Sequence, residues 1–142
     1  MQKNLTERTE VPVRFNEADP LGIVWHGHYV RYFEDGREAF GAKYGLTYLD
    51  FYRNGLVVPI VSLDCKYKKP LRYGDKVLVE TTFHDTKAAK INFEYKLFHL
   101  PSGDLVATGH SMQVFLDSKT NSLLLNNPPF FEAWKNEHGL LV

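Results

Sequence analysis

The sequence predicts an α+β fold, one long helix covered by a curled antiparallel sheet of about five strands, in a single domain over residues 1–142. Three observations predict it. Between Tyr29 and Tyr44, aromatic and small residues recur at helical spacing. Beyond residue 60, four runs alternate apolar and polar side chains with the two-residue period of strands. The joints between those runs are shorter than the roughly dozen residues that a parallel crossover needs.

Taken in order, Glu10 to Phe15 reads as a first strand, because Val11, Val13 and Phe15 alternate with polar positions. Asn16 to Gly27 reads as a loop broken by Pro20, Gly22 and Gly27. The helix follows, with Tyr29, Tyr32, Phe33, Gly36, Phe40 and Tyr44 on one face and Arg31, Glu34, Asp35 and Glu38 on the other. Glycine inside a helix costs about 1 kcal/mol relative to alanine, so Gly36 implies close approach of another backbone, such as a sheet over the helix. Arg37 lies about 40° from Phe33 at roughly 100° per residue. It therefore borders the apolar stripe and calls for a carboxylate or carbonyl partner. Gly45 is placed to end the helix. Val61, Leu63, Cys65 and Tyr67 alternate with Ser62, Asp64, Lys66 and Lys68, which puts Cys65 on an inward face. Val77 to Phe83, Ile91 to Leu97 and Leu105 to Leu116 form three more strands. Turn signals at Leu71–Asp75 and Pro101–Asp104 predict that the strands they join are antiparallel neighbours. Pro128 to His138 reads as a short C-terminal helix.

Composition narrows the function. The 142 residues are 44% hydrophobic and 14% aromatic, a globular make-up long enough to bury a core without disulfides or metals. Lys+Arg and Asp+Glu both number 17, so the neutral chain has no electrostatic footprint for nucleic acid. The single cysteine, Cys65, cannot form an internal disulfide, which fits a reducing compartment. Met1 to Glu10 lacks the apolar core of a secretory signal, and no apolar run reaches the roughly 18 residues of a membrane span. A cytoplasmic protein without membrane insertion is expected.

The densest run of unusual residues is Phe15 to Tyr29, which holds a carboxylate, the two histidines His26 and His28, and three breakers. It opens onto the helix N-terminus, where free amides and the positive end of the dipole can hold an oxygen becoming anionic. Within it, Asp19-Pro20-Leu21-Gly22-Ile23-Val24-Trp25, preceded by Arg14-Phe15 and followed by Tyr29-Val30-Arg31-Tyr32-Phe33, resembles the signature of the 4-hydroxybenzoyl-CoA thioesterase family. Gly55 to Ser62 resembles that family's second block, and Lys68 to Asp75 its following turn. The resemblance implies the hotdog fold, a sheet wrapped around a central helix, and hydrolysis of a small aryl or short to medium acyl-CoA. It implies that Asp19 is the catalytic carboxylate. His26 stands where the family has Tyr or His, as in its Tol-Pal-associated branch, with its backbone N–H toward the thioester carbonyl.

The residues suit that chemistry. Asp19 can attack the carbonyl to give a mixed anhydride, or activate water as a general base. The His26 N–H would stabilise the oxyanion, and its imidazole could orient water or the carbonyl. Trp25 and Tyr29 sit beside the candidate catalyst as pocket walls, whereas Tyr32, Phe33 and Phe40 suit the core. The second block offers Pro59, Ile60 and Val61 as substrate contacts. Lys87 and Lys90 are the cations that the resemblance favours for coenzyme A phosphates, with Lys68, Lys69 and Arg72 as other loop cations. Neither metal nor cofactor is needed, coenzyme A being part of the substrate. His26 and His28 form a His-x-His pair that lacks a visible third ligand. His28 suits a helix start or pocket wall. Glu34 offers a second carboxylate on the polar face of the helix, where a solvated or interface role is the plainer reading. Cys65 reads as core.

Two other readings keep the fold. One is dehydration of a 3-hydroxyacyl thioester, for which no dehydratase block is recognisable. The other is non-catalytic binding of acyl thioesters. Acyl carrier protein could replace coenzyme A as the carrier. An open sheet edge, with a site that the resemblance sets between two subunits, predicts a homodimer at minimum and a homotetramer as the assembly.

Overall fold

The computed structural model of the chain describes residues 5–140. Its main helix, α1 (Tyr29–Tyr44), runs for 16 residues, or about 24 Å at 1.5 Å per residue. Tyr29, Tyr32, Phe33, Gly36 and Phe40 are all buried along one stripe, as their spacing requires. Full burial of an aromatic such as Phe33 or Phe40 is worth roughly 1.5–3 kcal/mol. Gly45 ends the helix in the left-handed region, at φ 75°, and its N–H bonds the Gly41 carbonyl.

Around this helix curls a five-stranded antiparallel sheet with the order β1-β4-β5-β6-β3. Its strands are β1 (Leu5–Pro12), β3 (Ile60–Tyr67), β4 (Lys76–His84), β5 (Lys90–Leu100) and β6 (Leu105–Val114). A separate two-stranded ribbon pairs β2 (Leu56–Val57) with β7 (Leu116–Asp117). In β4 and β5 buried and half-buried residues alternate, which puts Val77, Val79, Phe83, Ile91, Phe93, Tyr95 and Leu97 in the core. The C-terminal helix α3 (Pro129–Glu137) adds Phe131 and Trp134, close to the expected span. A short helix, α2 (Tyr48–Arg53), was not expected; Thr47 and Asp50 close a reciprocal capping box at its start. Six residues are too few for apolar periodicity to reveal.

Several expectations need correction. The first strand ends at Pro12; Val13 is buried beyond it, and Phe15 begins a 3-10 turn and is exposed. The short joint between β3 and β4 does not make them neighbours. It carries the chain between β3, at one sheet edge, and β4 on the far side of β5 and β6. The Pro101–Asp104 joint does connect paired neighbours, β5 and β6. Among the described residues Arg37 bonds neither carboxylate nor carbonyl: it donates to the Tyr95 hydroxyl at 3.0 Å, and that hydroxyl pairs with Ser111 at 2.6 Å. The close approach at Gly36 comes from side chains, because a Cβ there would strike Thr81 and Val79 of β4. Cys65 is only half-buried, and every other residue of β3 is exposed. The helix backbone packs mainly against β1 and β4, and it meets β3, at the opposite edge, through Tyr29 against Tyr67.

Candidate active site

The run from Phe15 to Tyr29 folds into a closed loop ahead of α1. Glu17 anchors it from inside. Its carboxylate is 3% exposed and accepts the Arg14 N–H at 2.7 Å and the Tyr32 hydroxyl at 2.9 Å. The Arg31 guanidinium lies 3.8 Å from the other oxygen. Burial, then the hydrogen bond to Glu17, pushes the Tyr32 phenol far up, so it stays a donor. Glu17 also joins the two ends of the loop, because its carbonyl accepts the Trp25 N–H at 3.0 Å. Bridges pair Ala18 with Val24 and Ile23 with Arg72, tying the loop to the β3–β4 connection.

Asp19 sits at the tip of this loop. Its N–H donates to the Ile23 carbonyl at 2.8 Å, and its Oδ1 accepts the Leu21 N–H at 2.8 Å. The Oδ2 atom accepts none of the hydrogen bonds formed among the described residues. The chain then enters a 3-10 turn, His26–His28, that runs directly into α1. Its internal bonds are His28 N–H to the Trp25 carbonyl and Tyr29 N–H to the His26 carbonyl. The amides of His26 and Gly27 therefore lead the helix, at the positive end of its dipole. Gly27 is glycine for a visible reason: a Cβ there would strike the Trp25 indole.

A cleft of about 320 Å³ unites Asp19, Ile23, Val24, Trp25, His26 and Tyr29 with Tyr67, Lys68, Lys69 and Pro70. Trp25 is half exposed at its mouth and packs against the His26 and His28 rings, with centroids 5.0 and 5.5 Å away. Tyr29 is buried and donates to the Lys69 carbonyl at 3.3 Å; burial pushes its phenol up. Tyr32, Phe33 and Phe40 are core, as expected. Half-burial pushes the Cys65 thiol up as well, which suits no nucleophile. Among the described residues, no group of three or more His, Cys, Asp or Glu is placed to hold a metal ion.

The remaining candidates lie elsewhere in the chain. Pro59, Ile60 and Val61 are at the start of β3, about 23 Å from Tyr67 at 3.3 Å per residue. Lys87 sits in the β4–β5 turn and Lys90 begins β5, one full length of β4 from Asp75, whose carbonyl holds Val13 beside the Asp19 loop. Within one chain the structure does not bring these five residues to Asp19. Near Ile60 lies a second, larger cavity of about 570 Å³, lined by Leu46, Phe51, Val58, Ile91 and Phe93 with Arg37 and Glu34 among its polar walls. Of the residues that do meet Asp19, sequence reasoning assigned no site role to Tyr67. It also left unassigned Glu17, which holds the loop.

A curled antiparallel sheet around one long helix, with the Asp19 loop folded ahead of that helix, defines a hotdog-fold protein. The chain belongs to the thioesterase-like superfamily, which matches residues 13–135. It is 33% identical over 113 residues to a putative acyl-CoA thioesterase, YneP, of Bacillus subtilis, covering 80% of this chain and 81% of that protein. It is 34% identical over 110 residues to the chloroplastic acyl-acyl carrier protein thioesterase ATL3 of Arabidopsis thaliana, covering 78% of this chain and 58% of that one. The crystal structure of a DHNA-CoA thioesterase from Staphylococcus aureus superposes with a TM-score of 0.81 at 28% identity, covering 96% of this chain and 97% of that one. At the level of the family, the chain is a thioester hydrolase.

Proposed function

We propose that this protein hydrolyses the thioester of a small aryl or short to medium acyl-coenzyme A, with Asp19 as the reacting carboxylate and the leading amides of α1 as the oxyanion site. The observation that carries this reading is the shared cleft: Asp19 opens into the same cavity as His26 and Tyr29, where the helix begins. A thioester carbonyl set there would have a carboxylate on one side and helix amides on the other. In one course Asp19 attacks the carbonyl carbon, the C–S bond breaks, the thiolate leaves, and water cleaves the mixed anhydride. In the other Asp19 takes a proton from water as the water attacks. Both consume one water and release an acid and a thiol, and neither calls for a cofactor. A well-aimed amide at the oxyanion supplies about 3–4 kcal/mol. Trp25 and Tyr29 would wall the acyl group.

The second half of the site would come from another copy of this chain. If two β3 edges pair antiparallel across a two-fold axis, the Ile60 end of one lies beside the Tyr67 end of the other. That brings the partner's Pro59, Ile60 and Val61, with the larger apolar cavity behind them, toward Asp19. The partner's Lys90 lies at that same end, since it pairs with Val114 next to the Gln113 that faces Ile60. Lys87 sits in the adjoining turn, so both cations would be available to the phosphates of coenzyme A. The Staphylococcus relative is named for an aryl-CoA and the Arabidopsis relative for an acyl carrier protein, so both carriers belong in the assay.

Thiol release from a panel of aryl- and acyl-CoAs and acyl carrier proteins tests the reading. Wild type should turn over at least one member, and Asp19→Asn should lose at least about a thousandfold in kcat while keeping its fold. An Asp19→Asn protein as fast as wild type would remove Asp19 from the mechanism. Binding without turnover would favour the non-catalytic reading, and water loss from a 3-hydroxyacyl thioester the dehydratase reading.

A further inference from the structure

One contact in the cleft has no part in the hydrolysis just outlined. The Tyr67 hydroxyl, on the last residue of β3, donates to the His26 carbonyl oxygen at 2.8 Å, on the first residue of the 3-10 turn. That oxygen also accepts the Tyr29 N–H, the bond that closes the turn. A carbonyl and the amide that follows it share one rigid plane. Tethering the His26 carbonyl therefore fixes the direction of the Gly27 N–H, and it restrains the dihedrals that aim the His26 N–H. We infer that Tyr67 is a positioning residue, which holds the turn so that its leading amides face the thioester oxygen. The inference rests on the proposed hydrolase reading.

The phenol is itself well held. Its ring meets the Tyr29 ring edge-on at 4.9 Å and the His26 ring at 6.1 Å. Cys65 stands two residues back on the same face of β3. Desolvation, with Cys65 beside it, pushes the Tyr67 phenol up to about 12, so it remains a donor through the neutral range. The arrangement also links two parts of the site: the edge strand that would meet the partner subunit and the turn that would hold the oxyanion.

The test is Tyr67→Phe, which removes one oxygen and keeps the ring contacts. The control is Tyr44→Phe, because Tyr44 donates to the Thr6 carbonyl at 2.9 Å near the C-terminal end of α1. On the best substrate of the panel, Tyr67→Phe should lower kcat about tenfold, less than the hundredfold or more lost with an oxyanion donor itself. KM should stay close to wild type, and thermal stability close to that of Tyr44→Phe. Tyr44→Phe should keep its kcat. Hydrogen–deuterium exchange of a peptide covering residues 25–29 should quicken in Tyr67→Phe alone. An unchanged kcat, or unchanged exchange, in a Tyr67→Phe protein whose parent is active would overturn the inference. An inactive parent would instead overturn the hydrolase reading beneath it.

Discussion

Glu17 is the residue on which the candidate site depends without taking part in its chemistry. It is a buried carboxylate two positions before Asp19, satisfied by the Arg14 amide, the Tyr32 hydroxyl and the nearby Arg31. Replacing it with alanine leaves the Tyr32 hydroxyl and the Arg14 amide without an acceptor. At about 1–3 kcal/mol for each of the two stranded groups, Glu17→Ala should cost roughly 2–6 kcal/mol, read as a lower denaturant midpoint at unchanged slope. Glu17→Gln keeps an acceptor oxygen and should cost less. Activity should fall in both as the Asp19 loop loosens. The loop that carries Asp19 and His26 was legible because breakers and titratable groups crowd into one run ahead of a helix; the roles of the two residues came from the resemblance alone. Glu17 was not legible, since apolar patterning carries no signal for a buried acid. Its partner Tyr32 also lies 15 positions away, on a face that reads simply as core.

At the scale of elements, periodicity placed α1 and the strands β4 to β6 well, because each buries one face. It failed at the edges. Val11, Val13 and Phe15 continue an alternation past the point where β1 stops pairing at Pro12. Val61 and Leu63, inward-phased on β3, stay exposed at the sheet edge, because the helix packs mainly over β1 and β4. Joint length also misled, since a short link between β3 and β4 can cross an end of the sheet as readily as form a hairpin. The docking of α3 rests on a feature no pattern announces. Lys135 and Asp85 form an ion pair at 2.7 Å with both side chains fully buried, and Lys135 also donates to the Thr86 carbonyl at 2.8 Å. Removing one member of such a pair strands the other charge. Lys135→Met should therefore cost about 3–5 kcal/mol in thermal or chemical unfolding. The double variant Lys135→Met/Asp85→Leu should recover most of that loss, because the penalty lies in the unpaired charge rather than in the absent attraction. A double variant no better than the single one would show that Asp85 has a separate structural duty.

The whole molecule ends in an unfinished edge. β3 closes the sheet on one side with its backbone unpaired beyond β6, and Val61 and Leu63 are 57% and 38% exposed along it. A free edge carrying such side chains invites strand pairing, and proteins that remain monomeric usually guard it with charge or proline. Two copies joined antiparallel along β3 would form one ten-stranded sheet, cover these side chains, and seat the Ile60 end of each strand beside the other's Asp19 cleft. Assembly and activity should then fail together. Sedimentation at micromolar concentration should show a dimer or tetramer for the wild type. Val61→Lys/Leu63→Lys, which puts two guarding charges on the edge, should sediment as a folded monomer. Its kcat/KM should drop at least about a hundredfold although Asp19, His26 and Tyr67 are intact in every chain, because the acyl pocket and phosphate cations of the partner would be lost. A wild-type monomer with full turnover would show that one chain holds a complete site, and the exposed apolar edge would then need another partner.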